Sequence, residues 1–493
     1  MKGEHTVMIT IRLDPARGAG TINRNIYGHF SEHLGRCIYD GLFVGKSSPI
    51  PNEGGIRSAA VEALKRIGVP VLRWPGGCFA DTYHWQDGIG PEKDRPRIVN
   101  TTWGGVAEDN SFGTHEFLDL CEKIGCEPYF NVNMGSGTVR EMTEWMEYVN
   151  SDTDSTLVQR RRANGRKEPW KVKYWCIGNE PWGGGGNMRP EYYADEYRRY
   201  QTYCPPYGGT KPYRIACGPN AGDLKWTEVL MERAGRFMDA MTVHYYTVPG
   251  TWEKKGSAAR FTVEEYYRTL KKALEMERIV TAHDEIMTRF DKDKRVGLIV
   301  DEWGAWYDVE EGTNPAFLYQ QNTMRDAMIA ALTLNIFNAH CDRVVMANLA
   351  QMVNVLQSLL LTKGSEVVLT PTYHVFDLYR AHQDARHIAC EADAPLIGPG
   401  EWTLPQVSAS ASEKDGIVTV TAANVSAESP AQLLLTGVEA KTVTARVLSG
   451  AMDAHNDFDS SPLHIEPLAA AITGSGVSAT LPPCAVAQIT LKN

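Results

Sequence analysis

The most informative stretch of the chain reads KYWCIGNEP (173–181), a short apolar run that ends in Asn179 and Glu180. A second run of the same kind, GLIVDEWGAW (297–306), carries Glu302. Six further runs share this length: NIYGHFSEH (25–33), VPVLRWPGG (69–77), EPYFNVNMG (127–135), YRIACGPN (213–220), MDAMTVHYY (238–246) and RVVMANLAQ (343–351). Apolar runs this short, bounded by Gly and Pro, are typical of strands buried on both faces. The sequence therefore predicts eight strands.

Helical patterns alternate with these runs. We predict helices at 56–68, 114–125, 190–204, 263–287 and 317–340. Strands that alternate with helices favour a parallel sheet covered by helices. Eight such units favour an α/β fold of the (β/α)8 or TIM barrel type, which we assign to residues 21–384. In such a barrel the active site forms where the strands end.

The composition changes after residue 385. Short alternating segments rich in β-formers, separated by Gly, Ser, Pro and Asp, follow from Trp402 onward. They predict a jelly-roll-like β-sandwich over residues 385–493. Residues 5–13 also alternate like a strand, so we expect residues 1–20 to supply the N-terminal strand of this β-sandwich.

The overall balance of charge is acidic. The 493 residues include 50 Lys and Arg against 60 Asp and Glu, which gives a net charge of −10. This balance argues against a nucleic-acid partner and against binding to anionic membranes. The basic run at 160–162 falls in a polar segment, 151–168, which we expect to be a solvated loop. No apolar run reaches the roughly 18 residues of a membrane helix, and the N-terminus lacks the apolar core of a signal peptide, so we expect a cytoplasmic protein.

Cysteine and histidine usage gives no metal pattern. The ten cysteines contain no CxxC pair, and several lie in apolar runs, as expected of reduced, buried thiols. They are residues 37, 78, 121, 126, 176, 204, 217, 341, 390 and 484. His29, His33 and His244 lie in predicted strands, where we expect hydrogen bonds to substrate or neighbours rather than metal ligation.

Two carboxylates stand out because they follow the fourth and seventh predicted strands. Glu180 and Glu302 would face each other across the mouth of a barrel, and such a pair is what glycoside hydrolysis requires. One carboxyl protonates the leaving oxygen while the other attacks the anomeric carbon or activates water. The alternative is that both are structural carboxylates paired with arginine.

Long segments around these carboxylates resemble the α-L-arabinofuranosidases of glycoside hydrolase family 51. The matching segments are IYGHFSEHLGRCIYDGL (26–42), VLRWPGGCFADTYHWQDGIGP (71–91), YWCIGNEPW (174–182), VHYY (243–246), DEWGAWY (301–307), DRVVMANLAQMVNVLQ (342–357) and LTPTYHVFDLY (369–379). The resemblance implies an exo-acting, retaining enzyme that releases arabinofuranose from arabinoxylan- or arabinan-derived oligosaccharides. It also implies a homo-hexamer that requires no metal and no cofactor.

The resemblance assigns roles to individual residues. Glu180 would be the general acid/base, Glu302 the nucleophile, and Asn179 a donor to the sugar 2-hydroxyl. Tyr246 would orient Glu302. The remaining substrate-site residues are Glu32, Arg73, Cys78, Trp103, His244, Trp306 and Gln351.

The glycine run WGGGGNM (182–188) lacks the pattern of a phosphate-binding loop. We predict a loop that approaches the substrate closely. Many family members carry a cysteine in this run, where this chain has Gly184 and Gly185.

Two other functions fit the same barrel. A β-xylosidase or β-glucan hydrolase would use the same two carboxylates, since loops set the substrate. A non-catalytic carbohydrate-binding protein would use the β-sandwich alone and would bind sugar without turnover.

Overall fold

The computed structural model describes residues 8–492. Eight parallel strands close into a barrel, which confirms the predicted fold. They are β1 (Gly28–Phe30), β2 (Val71–Trp74), β3 (Glu127–Val132), β4 (Tyr174–Ile177), β5 (Tyr213–Ala216), β6 (Ala240–Thr247), β7 (Gly297–Ala305) and β8 (Val344–Ala350). Closure is made by β8 and β1, which pair from Asn348 and Gly28 to Ala350 and Phe30.

Helices surround the barrel between its strands. They are α1 (Ser58–Ile67), α2 (Thr114–Ile124), α3 (Val139–Asn150), α4 (Thr156–Ala163), α5 (Pro190–Thr202), α6 (Leu224–Ala234), α7 (Val263–Ala273), α8 (Glu275–Phe290), α9 (Met324–Ala339) and α10 (Pro371–Tyr379). Short hairpins lie in the connections, at Asn52–Glu53 with Ile56–Arg57, Ile98–Asn100 with Val106–Glu108, Leu360–Lys363 with Glu366–Leu369, and Leu396–Ile397 with Leu404–Pro405. Among residues 8–492, no helix has the length and apolarity needed to cross a membrane.

Three predicted segments differ from the structure. The helix predicted at 263–287 is two helices, which meet at Leu274. The helix predicted at 317–340 begins only at Met324, because Thr323 caps it by accepting a hydrogen bond from the Arg325 amide. The predicted loop at 151–168 contains α4, capped by Ser155.

The basic run at 160–162 is also not a purely solvated face. Arg161 is fully buried, and its guanidinium donates to the carbonyls of Tyr148 and Ser151 at 2.9 and 2.6 Å. These bonds anchor α4 to the end of α3, so this arginine stabilises a helix rather than solvating a loop.

Two β-sheets pack face to face in the C-terminal part, as predicted. One contains Met8–Asp14, Ala431–Thr436, Gly476–Leu481 and Ala470–Thr473, and the other contains Val407–Lys414, Ile417–Asn424, Ala485–Lys492, Thr442–Ser449 and Glu466–Pro467. The strand Arg386–Ala392 pairs with both sheets.

The N-terminal strand Met8–Asp14 lies in this sandwich, parallel to Ala431–Thr436 and antiparallel to Arg386–Ala392. The predicted strand began at residue 5, and residues 5–7 lie outside the described part of the chain. The domain boundaries at 20/21 and 384/385 stay predictions.

The sandwich contacts the barrel through α9, which is buried almost all around. The amides of Asn335 and Asn338 donate to the hydroxyls of Ser408 and Ser410, both at 3.0 Å. These bonds fix the sandwich to α9, one of the helices that surround the barrel.

Candidate active site

A bulge in β7 places two consecutive acidic residues in the barrel mouth. Between Val300 and Trp303, β7 advances three residues while the neighbouring β8 advances two. An extra residue of this kind re-aims side chains that would otherwise alternate between faces. Asp301 and Glu302 are both buried and both contact the polar network at the strand ends.

Glu302 is held by a cation and a phenol. Arg73 Nη1 donates to Oε1 at 2.8 Å, and the Tyr246 hydroxyl donates to Oε2 at 2.9 Å. Burial raises the pKa of the Glu302 carboxyl above its usual range, while His244 and Arg73 act in the opposite direction. Both oxygens are therefore oriented by donors before any substrate binds.

Glu180 lies in a strained turn just after β4. Gly178 has φ of 90° and Glu180 has φ of 43°, in the left-handed region that non-glycine residues rarely adopt. The Glu180 Oε1 atom is 2.8 Å from His244 Nδ1. One side-chain nitrogen or oxygen atom of each of Glu180, His244 and Glu302 lies within 4.8 Å of the other two.

His244 links the two glutamates to Asp301. Its Nε2 atom lies 3.0 Å from Asp301 Oδ1, and its Nδ1 atom lies 3.5 Å from Glu302 Oε2. Burial lowers the pKa of the imidazole, but the charges of Glu302 and Asp301 and the hydrogen bonds outweigh it, so the pKa is raised well above its ordinary value. The charged imidazolium is thus the form that these carboxylates stabilise.

The same three groups have the spacing of metal ligands, but their electrostatics suit a salt-bridged network. A metal-bound imidazole must be neutral, whereas His244 sits among three carboxylates that favour its protonated form. His29 and His33 do not join this group. His29 packs against Phe376, and His33 accepts a hydrogen bond from the Trp74 indole at 3.2 Å. The prediction of no metal stays a prediction.

Glu32 also lines the cavity. Its Oε1 accepts hydrogen bonds from the Phe79 amide at 3.0 Å and the Trp103 indole at 2.9 Å, and its Oε2 accepts one from the Gln351 amide at 2.9 Å. Burial raises the pKa of Glu32 to about 7, with Glu302 adding to the effect. Gln351 Oε1 is buried without a partner among the described residues, so the amide can turn to accept a hydrogen bond from a neutral Glu32.

Glu32→Gln tests this buried carboxyl. Because its folded-state pKa of about 7 exceeds the ordinary 4.5, the native state holds a proton that the unfolded chain releases between these pH values. The wild type should therefore lose stability relative to the variant as pH rises through this window, by up to about 1.4 kcal/mol per pH unit. Denaturant unfolding of both proteins across the window measures the difference; a difference that is constant with pH contradicts the assignment.

Asn179 and Cys78 complete the region around Glu180. Arg73 Nη2 donates to Asn179 Oδ1 at 2.7 Å, and the Asn179 Nδ2 atom lies 3.9 Å from Cys78 Sγ, which lines the cavity. Cys78 Sγ lies 3.9 Å from Glu180 Oε2. Burial and the carboxylate of Glu180 raise the pKa of this thiol, so it is a neutral contact and not a nucleophile.

The structure brings all eleven predicted site residues together. Nine of them line one cavity of about 830 Å³: Glu32, Cys78, Trp103, Glu180, His244, Tyr246, Glu302, Trp306 and Gln351. Arg73 donates hydrogen bonds to both Glu302 and Asn179. Their individual roles stay predictions.

Sequence reasoning missed several residues that this region uses. Asp301 pairs with Arg73 at 3.3 Å and accepts from the Tyr129 hydroxyl at 2.7 Å. Trp182 and Trp252 line the outer part of the cavity. Asp301 stands beside Glu302 in the quoted segment DEWGAWY (301–307), but no pattern in the sequence gives it a role.

Sequence profiles and curated relatives agree with the chemistry of this site. The profile of the α-L-arabinofuranosidase C-terminal domain matches residues 301–485, and that of the α-L-arabinofuranosidase 1 domain matches residues 63–260. The chain is 50% identical over 464 residues to an intracellular exo-α-L-arabinofuranosidase of Bacteroides ovatus, covering 93% of this chain and 90% of that protein. It is 33% identical over 459 residues to α-L-arabinofuranosidase C of Emericella nidulans, covering 87% and 86%.

Solved structures give the same result. The family 51 arabinofuranosidase of Xanthomonas axonopodis pv. citri matches with a TM-score of 0.97 and 44% identity, over 99% of this chain and 100% of that one. The arabinose complex of the Thermotoga maritima α-L-arabinofuranosidase matches with a TM-score of 0.85 and 30% identity, over 98% and 100%. Over nearly its whole length, therefore, the chain belongs to the α-L-arabinofuranosidases of glycoside hydrolase family 51.

Proposed function

We propose that this arabinofuranosidase acts by retaining double displacement, with Glu302 as nucleophile and Glu180 as general acid/base. The observation that carries the proposal is the separation of the two carboxyls. Their nearest oxygens lie within 4.8 Å. Retaining enzymes hold the carboxyl groups about 5–5.5 Å apart, whereas inverting enzymes need about 6.5–9.5 Å to admit a water molecule.

The surroundings of each carboxyl suit its step. Arg73 and Tyr246 orient the Glu302 oxygens toward the anomeric carbon, where Glu302 forms the glycosyl ester as the C–O bond to the leaving group breaks. Glu180 delivers its proton to the departing oxygen and then removes a proton from the water that cleaves the ester. His244 bonds to Glu180 and supplies positive charge between the two groups as their charges change.

The Asn179 amide nitrogen supports recognition of the 2-hydroxyl, because Arg73 fixes the amide oxygen. A hydrogen bond to this hydroxyl strengthens as positive charge develops at the anomeric centre. Glu32, held by Trp103 and Gln351, offers a further polar wall for the same sugar.

Trapping with methanol tests the stereochemistry. In water with added methanol, 4-nitrophenyl α-L-arabinofuranoside should give methyl α-L-arabinofuranoside as the first glycoside detected by proton NMR. The β-methyl glycoside as first product would overturn the retaining mechanism. Parallel assays with 4-nitrophenyl β-D-xyloside and β-glucosides separate the arabinofuranosidase proposal from the alternative barrel activities.

We also propose that the enzyme removes terminal arabinofuranose from arabinoxylan- or arabinan-derived oligosaccharides. The cavity extends past the catalytic pair toward Trp182, Trp252 and Trp306, which gives space and aromatic surface for the remainder of a chain. Aromatic faces pack favourably on the apolar faces of sugars. The name of the Bacteroides ovatus relative supports both exo action and a cytoplasmic location.

Trp252→Ala tests this outer surface. Trp252 is 55% exposed and packs edge to face on Trp306 at 5.3 Å, so its ring is held in place with one face open. We expect kcat/KM for arabino-oligosaccharides to fall by about three- to ten-fold, the range of one aromatic contact. Methyl α-L-arabinofuranoside has no group that reaches Trp252 and is the matched control. Equal losses on both substrates would show that Trp252 contacts no part of the chain beyond the cleaved sugar.

The family resemblance leads us to propose a homo-hexamer in solution. Light scattering coupled to size exclusion measures the mass of the particle directly. A monomer mass at micromolar concentration contradicts this proposal and leaves the active-site assignments untouched.

A further inference from the structure

Asp81 joins three strand ends beneath the catalytic carboxyls. It lies on the short 3₁₀ helix Cys78–Thr82 that follows β2, and it is 5% exposed. Its Oδ1 atom accepts hydrogen bonds from the amides of Met134 and Gly135, just after β3, both at 2.9 Å. Its Oδ2 atom accepts a hydrogen bond from the backbone amide of Asn179, just after β4, at 3.2 Å.

The glycine run closes over the same contact from the other side. A Cβ atom at Gly185 would lie 1.9 Å from the Asn179 carbonyl oxygen and 2.8 Å from Asp81 Oδ2. The loop therefore rests directly on the Asp81–Asn179 bond, and only glycine permits this approach. The Glu180 carbonyl in turn accepts from the amides of Gly183 and Gly185 at 2.8 and 3.1 Å.

The turn that these contacts hold is strained. Glu180 itself has φ of 43°, a conformation that costs free energy and persists only where the surrounding structure fixes it. The Asn179 amide is one residue away from this position and has the Asp81 carboxyl as its partner. Removal of that partner leaves a buried amide unpaired and frees the turn to relax.

We propose that Asp81 is the positioning residue for the general acid/base. It acts through the backbone amide of Asn179 to hold Glu180 in reach of the leaving oxygen. This inference rests on the proposed role of Glu180. Asp81 is not among the residues that line the cavity, so it acts through another residue. Its effect should consequently appear in the step that needs proton donation.

Asp81→Asn removes the contact selectively. The side-chain oxygen of the variant can still accept hydrogen bonds from the backbone amides of Met134 and Gly135. The side-chain nitrogen that replaces Oδ2 then faces the backbone N–H of Asn179, so that two donors oppose each other. We expect kcat/KM for methyl α-L-arabinofuranoside, whose leaving group requires protonation, to fall by about 10- to 100-fold, within the range of general acid catalysis and of small misplacements. With 2,4-dinitrophenyl α-L-arabinofuranoside, whose leaving group does not, kcat/KM should stay within about three-fold of wild type.

Two reference variants make the result interpretable through one ratio. The ratio is kcat/KM for 2,4-dinitrophenyl α-L-arabinofuranoside divided by kcat/KM for methyl α-L-arabinofuranoside. Asp239→Asn alters a carboxylate that accepts from the Arg214 amide at 2.9 Å at the opposite end of the barrel, and it should leave the ratio of the two kcat/KM values unchanged. Glu180→Ala should raise that ratio further than Asp81→Asn does. If Glu180→Ala leaves the ratio unchanged, the proposed function fails; if it raises the ratio but Asp81→Asn lowers both values equally, the inference about Asp81 fails.

A second pair of variants covers the outcome that Asp81→Asn does not fold. Gly185→Ala pushes a methyl group into the Asn179 carbonyl, whereas Gly183→Ala meets only the Glu180 carbonyl, at 3.9 Å. The ratio of kcat/KM values should rise in Gly185→Ala and stay near wild type in Gly183→Ala. Equal ratios in the two glycine variants would overturn the inference.

Discussion

Replacement of Glu302 by alanine is expected to lower kcat for 4-nitrophenyl α-L-arabinofuranoside by about 10⁵-fold, the order found when a nucleophile is removed from an enzyme that uses one. The loss should be this large because Arg73 and Tyr246 both hold the Glu302 carboxyl, which the substitution removes. Steady-state rates over long incubations, with circular dichroism to confirm folding, measure the effect.

Azide distinguishes loss of the nucleophile from loss of structure. The variant leaves an open position flanked by Arg73, so an external anion can attack the anomeric carbon from the side that Glu302 occupies in the wild type. Rescue should yield β-L-arabinofuranosyl azide, with configuration inverted relative to the substrate. Activity within ten-fold of wild type, or rescue that yields the α-azide, would assign the nucleophile elsewhere.

Replacement of Glu180 by alanine has the second largest effect, and its size depends on the leaving group. For methyl α-L-arabinofuranoside we expect kcat/KM to fall by about 10²- to 10⁴-fold, the contribution of general acid catalysis. For 2,4-dinitrophenyl α-L-arabinofuranoside kcat/KM should barely change, because this phenolate departs unprotonated. Its kcat should still fall, because no base then activates the water that cleaves the glycosyl ester.

Azide again tests the assignment, with the opposite stereochemistry. It attacks the accumulated glycosyl ester without needing a base, restores kcat and yields α-L-arabinofuranosyl azide. Cys78→Ser is the matched control, because it changes a side chain that lies 3.9 Å from Glu180 Oε2 and keeps the Glu180 carboxyl, so it should not produce this dependence on the leaving group. Equal losses with both substrates in Glu180→Ala would contradict the general acid role.

The barrel could be predicted from sequence because each strand is a short apolar run between turn residues. The helix limits were less accessible, since they depend on local caps. Thr323 and Asp326 form a capping box that begins α9 well after the apolar pattern does. The break at Leu274 has no glycine or proline to mark it, and α7 and α8 together read as one amphipathic pattern.

In the candidate site, the two catalytic glutamates could be predicted because each follows a predicted strand, whereas the places of residues fixed by irregular backbone could not. The bulge in β7 turns Asp301 into the barrel mouth, against the alternation that its sequence suggests. Asp81 stands in the segment 71–91, yet its partners are backbone amides, which carry no sequence signal. Trp252 lies in a connection, and nothing in its neighbours predicts that it lines the cavity.

The most direct test of double displacement is the mass of the protein during turnover. Glu180→Ala incubated with 2,4-dinitrophenyl α-L-arabinofuranoside should gain the mass of one arabinofuranosyl group, and peptide mapping should locate it on Glu302. An adduct on another residue would reassign the nucleophile. Turnover without any adduct, together with inverted product, would contradict the covalent mechanism itself.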